Sequence, residues 1–250
     1  MAKPNAYLEK AGDEWLDDFV YISKQALIER GYKVIPFDGS DMENTLLNKS
    51  FNVDEDLIIG SVQATEAYFR INNISIPKSL SYPKSLKKYL GRDIVETTFG
   101  ELDNNFPYFV KPSGQVKLFT GGVIESKTHL GYLETFDKCK ADTKVFKSEV
   151  MEFVSEFRCF VLSGELKGIQ YYLGDFTVFP DVNRIARMIA SYNDCPSAYT
   201  LDVGVSNDGK TYLVEVNDMW AIGSYGFNSK DYVLACARRM KEIIRENKIK

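Results

Sequence analysis

The chain has 250 residues, a formal net charge of −4, 44% apolar and 26% charged residues. That is ordinary for a soluble globular protein with a sizeable core, and the slight negative balance argues against a nucleic-acid-binding surface as its main task. No N-terminal apolar segment suggests secretion and no apolar run is long enough to span a membrane.

The four cysteines, Cys139, Cys159, Cys195 and Cys236, fit no metal-ligand spacing and read as reduced thiols of a cytosolic protein. His129 is the only histidine and sits in an apparent loop, which argues against a triad hydrolase.

Helical spacing of Trp15, Leu16, Phe19, Val20, Ile22, Ala26 and Leu27 predicts a helix over residues 13–30, with Asp13 and Glu14 in its first turn and Gly31 after its end. A strand over Tyr32–Phe37 and a turn at Asp38-Gly39 follow. Leu57-Ile58-Ile59 reads as a buried strand, and Gly60-Ser61 opens a helix to Arg70 or Asn72. Two strand–helix units in succession predict a small α/β lobe with parallel strands.

Ser81–Arg92 is a connector with a short basic helix between Pro83 and Gly91, its lysines most simply a solvated face. Arg92 stands at the entry to the next strand, within reach of a phosphate. Tyr108–Lys111 is a short strand, and Val116–Thr120 a second, with Ser113-Gly114, Lys117 and Gly121-Gly122 around them. Glycines let backbone N–H groups approach phosphate oxygens, and lysine adds a point charge; taken alone, Gly-Gly is more often just a turn.

Lys144–Met151, Glu156–Leu162 and Leu166–Leu173 form an antiparallel meander. Glu156 and Arg158 share one face of their strand, with Phe157, Cys159 and Val161 on the other; a surface ion pair would be the plain explanation. Helices are predicted from Val182 to about Ser191 and from Lys230 to Asn247.

The most informative stretch is Ala198–Gly226. Asn207-Asp208-Gly209 is a hairpin signal between two alternating strands, in which Tyr212, Val214 and Val216 share a face. With Asp208-Gly209 as the central pair, Asn207 faces Lys210 and Asp202 faces Glu215, and Asn217 shares the Glu215 face. Two carboxylates and an amide then converge with no basic partner in the hairpin. Such hard oxygen donors suit a Mg²⁺ that completes its shell with water and phosphate; solvated polar positions are the competing explanation.

The order of these segments resembles the ATP-grasp superfamily. The step from Asp202 to Glu215 and the Glu215-Val216-Asn217 triplet carry most of the likeness, supported by VKPSGQVKLFTGG and EFVSEFRCFV. Residues of roughly 75–245 are covered, and the pair Lys111 and Lys117 is similar to the clade named for one arginine and two lysines, many of whose members are phage-encoded.

The resemblance implies an α+β ATP-grasp fold, two lobes with antiparallel sheets clasping a nucleotide, preceded by a small α/β lobe. The N-terminal lobe would span 1–78 and the ATP-grasp domain 79–250, divided near 147.

It also implies roles. Lys111 would contact the ATP α- and β-phosphates, and Lys117 would lie close to the phosphates. Met151, Glu152, Phe153 and Val154 would form the adenine hinge, and Glu156 would take the ribose. Arg92 would bind the nucleotide, and Arg158 would act at the transferred phosphate or the substrate. Asp202, Glu215 and Asn217 would hold Mg²⁺. Most superfamily members place one ATP lysine in the connector, so Lys84, Lys87 and Lys88 compete with Lys117.

The implied reaction is ATP- and Mg²⁺-dependent activation of a carboxylate as an acyl phosphate for attack by an amine, in the cytoplasm (the host's, for a phage protein). The partners would be a small-molecule or peptide acid and an amine, with neither membrane nor nucleic acid. Phosphotransfer to a hydroxyl and nucleotide binding without turnover are the alternatives. A nucleic-acid ligase is disfavoured, because no Lys-x-Asp-Gly motif occurs.

Overall fold

The computed structural model describes residues 3–47, 51–114, 118–135 and 137–248. The first sheet is built from β1 (Asn5–Ala11), β2 (Glu14–Trp15), β3 (Lys33–Asp38) and β4 (Leu57–Ile59), with helices α1 (Asp18–Glu29), α2 (Met42–Leu47) and α3 (Val62–Ile71). Strand β1 is central and pairs in parallel with β3 and β4. This is the expected parallel α/β lobe, with β1 and α2 in addition to the predicted elements.

The predicted first helix starts later than its periodicity suggests. Gly12 adopts φ +64°, and Ala11 pairs with Glu14 in a short hairpin. Asp17 then caps α1, its side chain accepting from the Asp18 N–H. Helix α3 is capped by the Ser61 hydroxyl, which accepts from the Ala64 N–H at 3.1 Å.

A 3-10 turn at Lys84–Tyr89 leads into the second sheet: β5 (Ile94–Thr98), β6 (Tyr108–Pro112), β7 (Gly122–Ile124) and, after α4 (Lys127–Thr135), β8 (Lys144–Ser148). Its order is β5-β8-β6-β7, all antiparallel. The strand expected at Val116–Thr120 is displaced: Val116 and Lys117 lie outside the described residues, 118–120 is irregular, and pairing resumes at Gly122 opposite Val110. His129 belongs to α4 rather than to a loop.

The third sheet has the order β10-β9-β11-β12, formed by β9 (Ser155–Leu162), β10 (Glu165–Gly174), β11 (Ala198–Val205) and β12 (Thr211–Asp218). Helix α5 (Val182–Ser191) lies between β10 and β11 in sequence, and α6 (Ser229–Lys248) closes the chain.

Period-two alternation divides this sheet cleanly. Phe157, Cys159, Val161, Tyr199, Leu201 and Val203 enter one core with Ile185 and Met188 of α5 and Leu86 of the connector. Phe160, Leu162 and Ala198 enter another, shared by the N-terminal lobe and by Tyr232, Cys236, Met240 and Ile244 of α6. The N-terminal lobe therefore has no separate core; α6 joins it to the third sheet.

Three bulges interrupt the pairing, one of them at Lys167, far along β10 from the other two. In β12, Val203 pairs with Leu213 but Asp202 pairs with Glu215, leaving Val214 as the extra residue. In β10, Tyr171 pairs with Phe157 but Leu173 pairs with Glu156, leaving Tyr172 extra. Bulges of this kind re-aim side chains.

Candidate active site

The hairpin turn is one residue longer than predicted. Val205 pairs with Thr211, Ser206 donates to the Lys210 carbonyl at 3.0 Å, and Gly209 takes φ +75°, the left-handed position of a three-residue hairpin loop. On its own, that register would turn Glu215 away from Asp202. The bulge at Val214 restores it: Leu213 and Val216 both face the core, while Glu215 and Asn217 face the other side with Asp202. The predicted alternation of Tyr212, Val214 and Val216 fails at Val214 for the same reason.

Arg92 holds this bulge. Its guanidinium donates to the carbonyls of Leu213 at 3.2 Å, Val214 at 3.0 Å and Leu90 at 3.1 Å. Two of these carbonyls belong to the bulge and the third ends the 3-10 turn, so Arg92 ties backbone together at the border of the cleft, where it also meets the Met151 sulfur at 3.7 Å. Arg92→Met should destabilise the protein by about 1–3 kcal/mol by leaving buried carbonyls unbonded, measurable in urea unfolding.

Asp202 is 3% exposed and Arg158 7%. They form a bidentate pair across β11 and β9, Nε to Oδ1 at 2.9 Å and an Nη to Oδ2 at 2.8 Å. The basic partners missing from the hairpin thus come from β9 beside it and from β6 of the second sheet. Lys111, at the end of β6, meets Glu215 Oε2 at 2.5 Å and lies 4.9 Å over the ring of Tyr82.

Asn217 Nδ2 donates to Asp202 Oδ2 at 3.1 Å and to Glu215 Oε1 at 3.0 Å. A single amide nitrogen thus lies between the two carboxylates. Among the described residues no group of three or more His, Cys, Asp or Glu side chains converges to enclose an ion. Two carboxylates and one amide are a small set of hard oxygen donors, the kind that Mg²⁺ completes with water or a bound anion.

Burial pushes the Asp202 carboxyl up to about 6, against the pull of Arg158, and the charges of Glu215 and Glu156 push the same way. Burial also raises Glu215, but Lys111 and Asn217 outweigh it and hold that carboxyl below the usual range. Each acid faces a full positive charge, Arg158 for Asp202 and Lys111 for Glu215; they differ because Asp202 is the more deeply enclosed and also feels the charges of Glu215 and Glu156.

A cleft of about 730 Å³ joins these groups, within the roughly 300–1,000 Å³ of small-molecule sites. Arg92, Lys111, Met151, Phe153, Glu156, Arg158, Asp202, Glu215 and Asn217 border it, with the connector around Tyr82 and the Trp220–Ile222 segment.

Of the remaining predicted residues, Glu152 is exposed and off the lining. The Val154 N–H donates to Val205 and its carbonyl accepts from Asp175, so its backbone is engaged within the fold. Gly204 leaves room for the Phe153 ring, into which any added Cβ would run. Lys117 lies outside the described residues. Lys87 pairs with Asp93 at 3.5 Å, and Lys88 lies over the Tyr89 ring; neither borders the cleft.

Sequence reasoning missed Tyr82, Tyr172 and Tyr225. Tyr172 lies at an alternating position on the Arg158 and Glu156 face, a signal that was available. Tyr82 and Tyr225 stand in irregular segments, where periodicity says nothing.

A family model for the ATP-grasp domain, family 2 of the clade named for one arginine and two lysines, matches residues 89–235. The chain belongs to the ATP-grasp superfamily. No curated protein sequence matches it.

The ATP-grasp fold recurs in solved structures. D-alanine–D-alanine ligase from Bacillus anthracis is 16% identical with a TM-score of 0.53, the match covering 100% of this chain and 97% of that one. N5-carboxyaminoimidazole synthetase from Staphylococcus aureus, complexed with ADP, is 11% identical with a TM-score of 0.58, covering 94% and 77%. L-amino acid ligase from Bacillus licheniformis is 13% identical with a TM-score of 0.52, covering 99% and 75%. At these identities the likeness establishes the fold. Among the described residues of this ATP-grasp chain, no helix is long and apolar enough to cross a membrane.

Proposed function

We propose that this ATP-grasp protein is an ATP- and Mg²⁺-dependent ligase that activates a carboxylate as an acyl phosphate for attack by an amine. The observation that carries the reading is the convergence of Asp202, Glu215 and Asn217 with Lys111 and Arg158 at the floor of one cleft. Structural relatives that are ligases support it at the level of reaction class.

In this reading ATP lies along the cleft, with its adenine beside Met151 and Phe153 and its ribose at Glu156. Asp202, Glu215 and Asn217 would hold Mg²⁺, Asn217 through its amide oxygen. Bound Mg²⁺ supplies charge neutralisation at the phosphates.

Lys111, now paired with Glu215, would supply a positive charge to the phosphate oxygens. Arg158 uses three of its five N–H groups on Asp202 and the Gly223 carbonyl. Two remain for the transferred phosphoryl group or the carboxylate that receives it. Charge stabilisation and positioning are what phosphoryl transfer asks of a protein, and no covalent nucleophile is needed.

The chemistry is tested by screening acids and amines in pairs for ADP release. A ligase forms ADP and phosphate only when both are supplied. ADP formed with an alcohol alone, with the phosphate on that alcohol, would indicate a kinase. Tight ATP binding with no ADP under any pairing would indicate a binding module.

Proton competition gives a further expectation. In the free protein Asp202 retains its proton up to about pH 6, and a metal needs the carboxylate deprotonated. Affinity for Mg²⁺–ATP should level off above that value and fall about tenfold per pH unit below it, as measured by calorimetric titration.

A further inference from the structure

Tyr172, the extra residue of the β10 bulge opposite Glu156 and Phe157, makes contacts in three directions. Its hydroxyl donates to Glu156 Oε2 at 2.5 Å. Its ring stacks on Tyr225 with centroids 5.1 Å apart and planes 19° from parallel. Both rings lie over the Arg158 guanidinium, Tyr225 at 4.7 Å and Tyr172 at 5.9 Å. Arg158 in turn donates to the Gly223 carbonyl at 3.1 Å.

Tyr225 is 48% exposed and has φ +47°. A bulky side chain in the left-handed region is uncommon and costs energy. Half-exposed as it is, Tyr225 is held less by burial than by the stack on Tyr172 and the contact with Arg158. The loop bearing it starts at Trp220, which borders the cleft and packs edge-on against Phe69 of the N-terminal lobe at 5.5 Å. Burial foremost, then the charges of Asp202 and Glu156, pushes the Tyr172 hydroxyl's pKa upward, so it stays a hydrogen-bond donor.

We propose that Tyr172 and Tyr225 are positioning residues that tie the Glu156 carboxylate to the Trp220–Gly226 loop, so that a ribose bound at Glu156 resets the acceptor end of the cleft. The proposal rests on the nucleotide reading of this cleft. Ribose hydroxyls compete with the Tyr172 hydroxyl for the same carboxylate. Once displaced, Tyr172 no longer holds its ring under Tyr225, and the strained Tyr225 backbone is free to relax. The consequence is an order of binding, nucleotide first and acceptor second.

Trp15 and Trp220 are the two tryptophans of the chain, so Trp15→Phe leaves Trp220 as the sole reporter. ATP with Mg²⁺ is titrated into this variant, following both heat and Trp220 emission. Both signals should saturate together.

Adding Tyr172→Phe should leave ATP affinity unchanged or raise it by up to about fivefold, since Glu156 loses a competing donor, yet abolish the emission change. Tyr225→Ala should abolish it too, while Tyr225→Phe, which keeps the stack, should retain it. The analogue 2′,3′-dideoxy-ATP should bind without changing Trp220.

A full emission response in Tyr172→Phe, or with the dideoxy analogue, would overturn the coupling alone. So would heat of ATP binding in the reporter variant with no emission change. Absence of any ATP binding in that variant would overturn the nucleotide reading and the coupling together.

Discussion

Arg158→Met is expected to lower the unfolding free energy by about 3–5 kcal/mol, because it leaves the Asp202 carboxylate buried without a counterion. In a chain of this length that corresponds to a fall in Tm of roughly 10 °C. The pair is bidentate, and both side chains are under a tenth exposed, so little solvent screening applies. Combining Arg158→Met with Asp202→Asn should recover much of the loss, since neither charge is then left alone. The check is a double-mutant cycle in chemical denaturant. A loss below about 1 kcal/mol for Arg158→Met would be the behaviour of a solvent-exposed pair and would contradict the burial of this one.

The second large effect is on turnover. Glu215→Gln should slow ADP formation by about a hundred- to a thousandfold, the range for removing one group that stabilises developing charge. Stability should change far less. The glutamine oxygen can still accept from Lys111, which now meets Glu215 Oε2, and Asn217, which now donates to Oε1, can turn its amide to offer oxygen to the new NH2. Activity is measured with the acid–amine pair that gives ADP in the screen. Near wild-type turnover in a folded variant would remove Glu215 from the site.

The contrast between these two variants follows from where the acids sit. Asp202 lies on a central strand between β9 and β12 and depends on Arg158. Glu215 lies on the edge strand, opens to the cleft and answers to Lys111. One substitution therefore acts mainly on the fold and the other mainly on the chemistry.

Much of the hairpin was legible because its information is local. Alternation and a glycine-containing turn identify two strands, and the facing of Asp202 and Glu215 is what the structure contains. The route to it differs: a longer turn shifts the register by one, and the bulge at Val214 shifts it back. No local pattern announces that bulge, because its stabiliser is Arg92, more than a hundred residues away in sequence.

The same limit applies to the counterions. Lys111 and Arg158 carry clear individual signals, but their pairing with Glu215 and Asp202 depends on strand order. In the N-terminal lobe, β1 went unpredicted because it is followed at once by the β1–β2 hairpin, and the apolar text around Trp15 reads as an early helix start. Tyr225 is placed by a positive φ and a stack, neither of which has a period to detect.

The account stands on Asp202, Glu215 and Asn217 forming, with Lys111, a seat for a metal-bound nucleotide. Its most direct test is the Kd of ATP measured calorimetrically with Mg²⁺ and with the metal chelated, in the wild-type protein and in Glu215→Gln. Tighter binding with Mg²⁺ in the wild type, and loss of that enhancement in Glu215→Gln, is the predicted result. An equal Mg²⁺ enhancement in both proteins would contradict it.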